Sequence, residues 1–235
     1  MAKPTIDNTE RAFSFLKVNK RQTKPRTQGV TEIRGPYYTP MGRHYLQDIL
    51  ETMGAYVDTL KFAGGSFSLM PRQVVKELID ICHAHNVRVS TGGFIEYVLT
   101  QGTDAVNRYI QECKEIGFDI IEISSGFITV PTEDLVRLVE KVQKAGLHAK
   151  PEVGIQFGSG GASAVAELEA EGTRDPEWAI LQARRFLEAG AHMIMIESEG
   201  ITENVKVWRT DAVARIINVL GLEKVLPPSV ERSRR

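Results

Sequence analysis

Apolar residues along this chain recur in two alternating rhythms. Short runs rich in β-branched and aliphatic residues give way to stretches whose apolar positions lie three and four apart. The first run, residues 29–35 (Gly-Val-Thr-Glu-Ile-Arg-Gly), predicts a strand. Leu46, Ile49, Leu50 and Met53 then predict a helix over 43–53. The cycle repeats as strand 55–61 and helix 71–83, with Pro71 in the first turn and Val74, Val75, Leu78, Ile79 and Cys82 as its buried stripe. Strand 86–91, helix 104–115, strand 118–123 and helix 132–144, capped by Thr132, follow. Next come strand 147–153, helix 174–189, strand 191–197, helix 203–220 and a seventh strand from 222, with Pro151 marking where the fifth strand stops pairing regularly.

Strand starts near 29, 55, 87, 118, 146, 191 and 222 form the βαβ rhythm of a wholly parallel sheet. A doubly wound sheet and a closed barrel share that rhythm. The dinucleotide fingerprint of the former is absent after the first strand, where Arg34-Gly-Pro-Tyr-Tyr stands, so the expected fold class is α/β, a TIM-type (β/α) barrel. Residues 24–226 are expected to form the barrel, 1–23 a flexible arm and 227–235 an irregular tail. Pro227 and Pro228 remove successive backbone donors, so the barrel is expected to be truncated after its seventh strand, with two exposed edges that a homo-oligomer could cover.

A length of 235 residues suits one such domain. With Lys+Arg 29 against Asp+Glu 30, no global field would draw the chain to nucleic acid or an acidic membrane. The basic stretch 17–26 is a local exception, read as a solvated arm or an anion contact. No apolar run approaches the roughly 18 residues of a membrane span, and no signal core opens the chain. Cys82 and Cys113 fall in helical patterns, which points away from a disulfide framework and toward a reduced, cytoplasmic setting.

In a parallel barrel the C-terminal strand ends form the active face. Lys61 ends the second strand before Ala63-Gly-Gly-Ser66, where Gly64, Gly65 and Ser66 could help a lysine hold an anion. Glu122, between Ile121 and Ile123, is costly to bury unless paired or metal-bound, and period-two alternation puts Ser124 on its face. Lys150 and Glu152 share a face on strand five, the first as a candidate general acid and the second as a metal ligand. Glu197 and Glu199 share one on strand six. This hard-oxygen set suits Mg2+. The alternative is a structural ion network across the barrel.

The loop 35–40 is flanked by Arg34 and Arg43 and could cover a small anion or simply pack over the barrel top. The glycine-rich connection after strand five, near Phe157 to Ala164, reads as a surface loop or a lid. The histidines lie at helix ends or early in strands and lack zinc-ligand spacing. Ser159 lacks the strand-to-helix elbow of a nucleophilic serine.

Five segments in order at strand ends carry a resemblance: Asp58-Thr-Leu-Lys-Phe-Ala-Gly-Gly-Ser66, Ser90-Thr-Gly-Gly-Phe94, Ile121-Glu-Ile-Ser-Ser-Gly126, Lys150-Pro-Glu-Val-Gly154 and Ile194-Met-Ile-Glu-Ser-Glu-Gly200. Over about residues 24–226 the chain resembles the phosphosulfolactate synthase family, within it the divergent branch that includes plant heat-stress-associated proteins. The resemblance implies a TIM barrel that uses Mg2+ to add sulfite to phosphoenolpyruvate, an early step toward coenzyme M.

It further implies a metal held by glutamates such as Glu122, Glu152 and Glu197. Lys61, Gly64, Gly65, Ser66, Gly92 and Gly93 would hold anionic groups with Arg34, Ser124 and Glu199, and a lysine would protonate C2. The chain departs from the family where Glu152-Val-Gly154 is followed by Ile155 and Gln156 instead of lysines. Lys150 is then the remaining strand-five acid. Two other readings stay open: a non-catalytic stress-associated protein, and an enzyme that enolises another small phosphorylated acid.

Overall fold

A computed structural model describes residues 11–35, 41–155, 175–203 and 205–228. The expectations about the loop 36–40, the connection 156–174, Ser159 and the tail 229–235 lie outside the described residues. Seven strands pair in parallel in chain order: β1 (Glu32–Arg34), β2 (Thr59–Lys61), β3 (Arg88–Ser90), β4 (Ile120–Ile123), β5 (His148–Val153), β6 (Ile194–Ile196) and β7 (Val225–Leu226). The helices between them are α1 (Arg43–Met53), α2 (Arg72–Ala84), α3 (Ile95–Leu99), α4 (Thr103–Ile116), α5 (Thr132–Lys144), α6 (Pro176–Glu188) and α7 (Thr210–Leu220).

The sheet curls strongly. In a flat sheet, β1 and β5 would lie about 19 Å apart, four strand spacings, yet the Lys150 ammonium on β5 sits 2.7 Å from Glu32 Oε1 on β1. The result is an incomplete barrel, and no pairing joins β7 to β1 among the described residues. Each strand sends alternate residues to opposite faces. Leu60, Val89, Ile121, Ile123, Ala149 and Val153 are buried beneath the helices, against stripes such as Leu46/Leu50, Val75/Leu78/Ile79/Cys82 and Leu135/Leu138/Val139/Val142. The opposite parity faces the barrel interior, and there the sequence places its charge.

The structure corrects several expected elements. The strands are shorter, and Gly54–Tyr56 forms a 3-10 turn ahead of β2. The last helix begins at Thr210 rather than 203, because the amides of Ile201, Thr202 and Glu203 donate to Ser198 O and fold this segment into a turn. Thr132 is the first residue of α5 after Pro131, with no side-chain cap. The short helix α3 was not expected. At Pro151 strand β5 changes partner: residues up to Pro151 pair with β4, while Glu152 and Val153 pair with β6.

The basic stretch is tied to the floor of the barrel. Arg26 pairs with Asp58 at 2.7 Å, Arg21 donates to Tyr56 O and Gly29 O, and Lys24 donates to Gly54 O and His85 O. Among the described residues, no helix is long and apolar enough to cross a membrane.

Candidate active site

The interior ends of β1, β2, β4, β5 and β6 bring six charged side chains together. Lys150 is 2 % exposed and donates to both oxygens of Glu32, at 2.7 and 2.6 Å. Its ammonium also lies 3.2 Å from Glu122 Oε2. Lys61 approaches the same carboxylate from the other side, at 3.4 Å from Oε1 and 3.3 Å from Oε2, and touches Met195 Sδ at 3.5 Å. Glu122 is therefore clamped between two lysines, as a carboxylate flanked by Ile121 and Ile123 must be if it is to stay charged in a core.

Lys61 keeps more surface than Lys150, its side chain 18 % exposed. Burial alone would lower its pKa, but Glu122, Glu32 and Glu152 outweigh that and raise it, so the ammonium is held charged.

One step nearer the mouth, Glu152 faces a second carboxylate. Burial first, then the charge of Glu197, push Glu152 well above the ordinary carboxylate range, and its carboxyl hydrogen-bonds Glu197. For Glu197 the upward push of burial is outweighed by hydrogen bonds from Glu152, the Glu199 and Ser198 amides and the Ser198 hydroxyl, and its pKa falls. The Ser198 amide donates to Glu197 Oε1 at 2.7 Å. The two carboxyls are thus joined by a hydrogen bond whose proton is favoured on Glu152. Glu152 retains some accessible surface because it lines the mouth, yet the surrounding wall leaves its carboxyl poorly solvated.

Lys61, Glu122, Lys150, Glu152 and Glu197 thus meet in one interior, as their strand parity implied. The three glutamates expected at a metal do not act as one set. Glu122 turns to the lysines while Glu152 and Glu197 turn to each other, and no group of three or more His, Cys, Asp or Glu suited to a metal occurs among the described residues. Glu199 is 3 % exposed on the turn after β6. Arg34, in register with Lys61, is exposed at the end of β1.

The glycine pairs satisfy demands of packing. Gly92 has φ +64, and a Cβ there would meet Phe62 O at 2.4 Å; one on Gly93 would meet Ser124 Oγ at 2.7 Å. Gly64 and Gly65 have φ 57 and 69, and the Phe94 ring sits where a Gly65 Cβ would be. These loops can lie close to the mouth because they lack side chains. Ser66, next to them, spends its amide on Ala63 O.

Two site residues escaped the sequence reading. Glu32 has the same parity as Arg34 in a run of alternating charge, and the argument that selected Glu122 applies to it equally. Glu96, 7 % exposed on α3, accepts from the Ser124 hydroxyl and from the Phe127 amide at 2.7 Å, fixing the loop after β4. No periodic signal marked so short a helix.

Comparison with known proteins places this geometry in a family. The family model described as (2R)-phospho-3-sulfolactate synthase (ComA) matches residues 19–227. The chain is 40 % identical over 223 residues to Protein HEAT-STRESS-ASSOCIATED 32 of Arabidopsis thaliana, covering 91 % of this chain and 78 % of that protein. It is 27 % identical over 230 residues to the phosphosulfolactate synthase of Methanothermobacter thermautotrophicus, covering 95 % and 83 %. Among solved structures, 2,3-dimethylmalate lyase, a PEP mutase/isocitrate lyase superfamily member, aligns with TM-score 0.52 at 16 % identity over 87 % of this chain and 68 % of that one, a likeness of fold alone. With nearly its whole length matched, the chain belongs to the (2R)-phospho-3-sulfolactate synthase (ComA) family.

Proposed function

We infer that the interior cleft is a phosphosulfolactate synthase-like site, where sulfite adds to phosphoenolpyruvate with Mg2+ as cofactor. The observation that carries this reading is the Lys61–Glu122–Lys150 cluster with the Glu152–Glu197 pair at its mouth, in a chain of this family. Family membership supports lyase-type chemistry; the sulfite nucleophile and the metal belong to the inference.

The donor set fits a hard cation. Two half-buried carboxylates joined by a hydrogen bond are an arrangement that a divalent ion can complete by displacing the proton between them, and Mg2+ commonly takes one or two carboxylates and leaves its other positions to water and substrate. Glu152 and Glu197 would hold it. Bound there, Mg2+ supplies positive charge against the substrate carboxylate, where negative charge grows during the addition.

The chain's own residues supply the rest. Lys61, charged and the more accessible lysine, meets the anionic substrate. As the sulfur lone pair forms the C–S bond at the terminal carbon, the C2–C3 π pair takes a proton at C2, donated by the Lys61 ammonium. Lys150, buried against Glu32, holds Glu122 in place and thereby orients Lys61. Glu96 and Ser124 fix the loop beside them.

A second reading, a non-catalytic stress-associated protein, is favoured by the similarity to the Arabidopsis protein and by the apolar Ile155, 1 % exposed, at the place where the family resemblance implies a lysine. An assay of phosphoenolpyruvate, sulfite and Mg2+, with an EDTA control and the product followed by phosphorus NMR, separates the two. Metal-dependent formation of a phosphosulfolactate is expected. No consumption of phosphoenolpyruvate at millimolar sulfite would leave the stress-associated reading.

A further inference from the structure

The floor of the barrel holds a polar cavity of its own, of about 40 Å3, with Arg26, Glu32, Asp58, Arg88, Lys150 and His192 among its walls. A water needs roughly 10–15 Å3 of such space, so the cavity takes about three water-sized atoms, enough for a small inorganic ion and too little for an organic metabolite. Arg88 opens β3 and His192 stands just ahead of β6, so both lie at the N-terminal ends of their strands, away from the mouth. Lys150 and Glu32 stand between this space and the cleft.

The charges around the cavity do not cancel. Arg26 is neutralised by Asp58 at 2.7 Å, and Lys150 by Glu32 at 2.6 Å. Arg88 pairs with no carboxylate among the described residues; its guanidinium donates to His192 Nε2 at 3.0 Å and keeps further N–H groups to give. His192 is itself ringed by basic groups. Burial first, then His148 stacked at 4.5 Å, Arg88, Lys224 and Lys150 hold it neutral and lower its pKa to about 4. Asp119, the acid that faces His148, is spent on His83 and on the Val89 amide. Basic groups gathered from β3, β5 and the approaches to β6 and β7, with the neighbouring carboxylates already committed, make a field that a small anion completes. Arg88 and His192 are partly exposed, so an ion from solvent reaches them directly.

We propose that the floor cavity binds a small inorganic oxyanion of the phosphate or sulfate type, held by the Arg88 guanidinium and, once it takes up a proton, by the His192 imidazolium. The planar fork of an arginine matches two oxygens of such an ion. Protonation turns His192 Nε2 from the acceptor of Arg88 into a second donor, with the anion between them. The anion offsets the cations that keep His192 neutral, so binding takes up a proton and tightens as pH falls toward the free histidine's value. The site is separate from the strand-end cleft and does not depend on the function inferred for it.

The test is titration calorimetry of sulfate, whose own charge is constant over this range, into the full chain at pH 7, 6 and 5 in low-chloride buffers. Affinity is expected to rise about fivefold from pH 7 to pH 5, with proton uptake read as a heat that varies with the ionisation enthalpy of the buffer. Arg88→Gln is expected to weaken binding about tenfold and Arg88→Lys less, because the point charge survives and the fork is lost. His192→Gln should keep binding at pH 7 and lose its pH dependence. Melting curves without sulfate check that the variants are folded, and Arg88→Lys carries the test if Arg88→Gln is not. Lys61→Met, which strips the strand-end cleft of its accessible cation, should leave sulfate binding in place. Loss of binding in Lys61→Met with none in Arg88→Gln would put the ion in the cleft and overturn the proposal. So would the absence of heat at millimolar sulfate, or a pH dependence that His192→Gln leaves intact.

Discussion

At the floor of the barrel each buried charge meets its opposite: Lys150 lies within 2.7 Å of Glu32, and Arg26 lies 2.7 Å from Asp58. At the mouth, Glu152 faces another carboxylate and depends on a shared proton. The two regions meet on β5, where Lys150 and Glu152 are interior positions two residues apart. Paired charge deep in a core resists change, because removing either partner strands the other without water. A carboxyl pair near an opening is poised to exchange its proton for a cation or a substrate group. The floor thus acts as a fastening and the mouth as a working surface.

The sharpest way to break that contrast is at the floor. Lys150→Met leaves Glu32 and Glu122 buried without their nearest cation, and a loss of about 3–5 kcal/mol is expected. For a domain of this size that corresponds to a fall in melting temperature of about 10 °C in calorimetry. Adding Glu32→Gln to that variant should restore part of the loss. If Lys150→Met melted within a degree of the parent, the floor would not be a fastening.

How far these regions were legible in the sequence differs for physical reasons. The parallel sheet was readable because helix and strand periods alternate without interruption, and the inward set Lys61, Glu122, Lys150, Glu152 and Glu197 followed from strand parity. What the sequence could not supply was the curl of the sheet, which decides who meets whom. That Lys150 would pair with Glu32, 118 residues away, and that Glu122 would turn from Glu152 toward two lysines, depend on distances across the interior that no local pattern encodes. Glycine was ambiguous in a similar way. Gly92 reads equally as an anion cradle or as a close contact, and the carbonyl of Phe62 reveals the contact.

A substitution at that glycine sharpens the comparison on the mouth side. Gly92→Ala combines a left-handed backbone with a Cβ 2.4 Å from Phe62 O, so about 3 kcal/mol of destabilisation is expected. Gly42→Ala, where φ is -88 and nothing lies within 4 Å, should be nearly neutral by urea unfolding. Equal effects would mean that the loop relaxes freely.

The carboxyl pair gives the next effect, visible in its dependence on pH. Because Glu152 is raised in the folded state, the native chain keeps a proton that the unfolded chain releases above the ordinary value near 4.5, so stability falls as pH rises. Glu197 is lowered, and its contribution is lost only in acid, outside that window. In EDTA, melting temperature should drop as pH rises above about 4.5, and Glu152→Gln should flatten the slope. Mg2+ competes with the shared proton and should therefore raise melting temperature more at pH 8 than at pH 6. An identical shift at both values would detach the metal from this pair.

The smallest expected effect lies back at the floor, where His192 accepts a hydrogen bond from Arg88 at 3.0 Å and stacks on His148 at 4.5 Å. Burial first, then His148, Arg88, Lys224 and Lys150 lower its pKa to about 4. The folded chain thus keeps His192 neutral while the unfolded chain protonates below about 6.5, so stability should decline as pH falls from 6.5 toward 4 and cease to depend on this group below that. His192 remains partly exposed, and solvent screens much of the interaction. His192→Gln should therefore flatten the acid limb only modestly, and less than Lys150→Met lowers the whole curve. If His192→Gln moved melting temperature as much at pH 7.5 as at pH 5, the histidine would be acting through packing beneath Lys150, and the floor would owe its strength to shape as much as to charge.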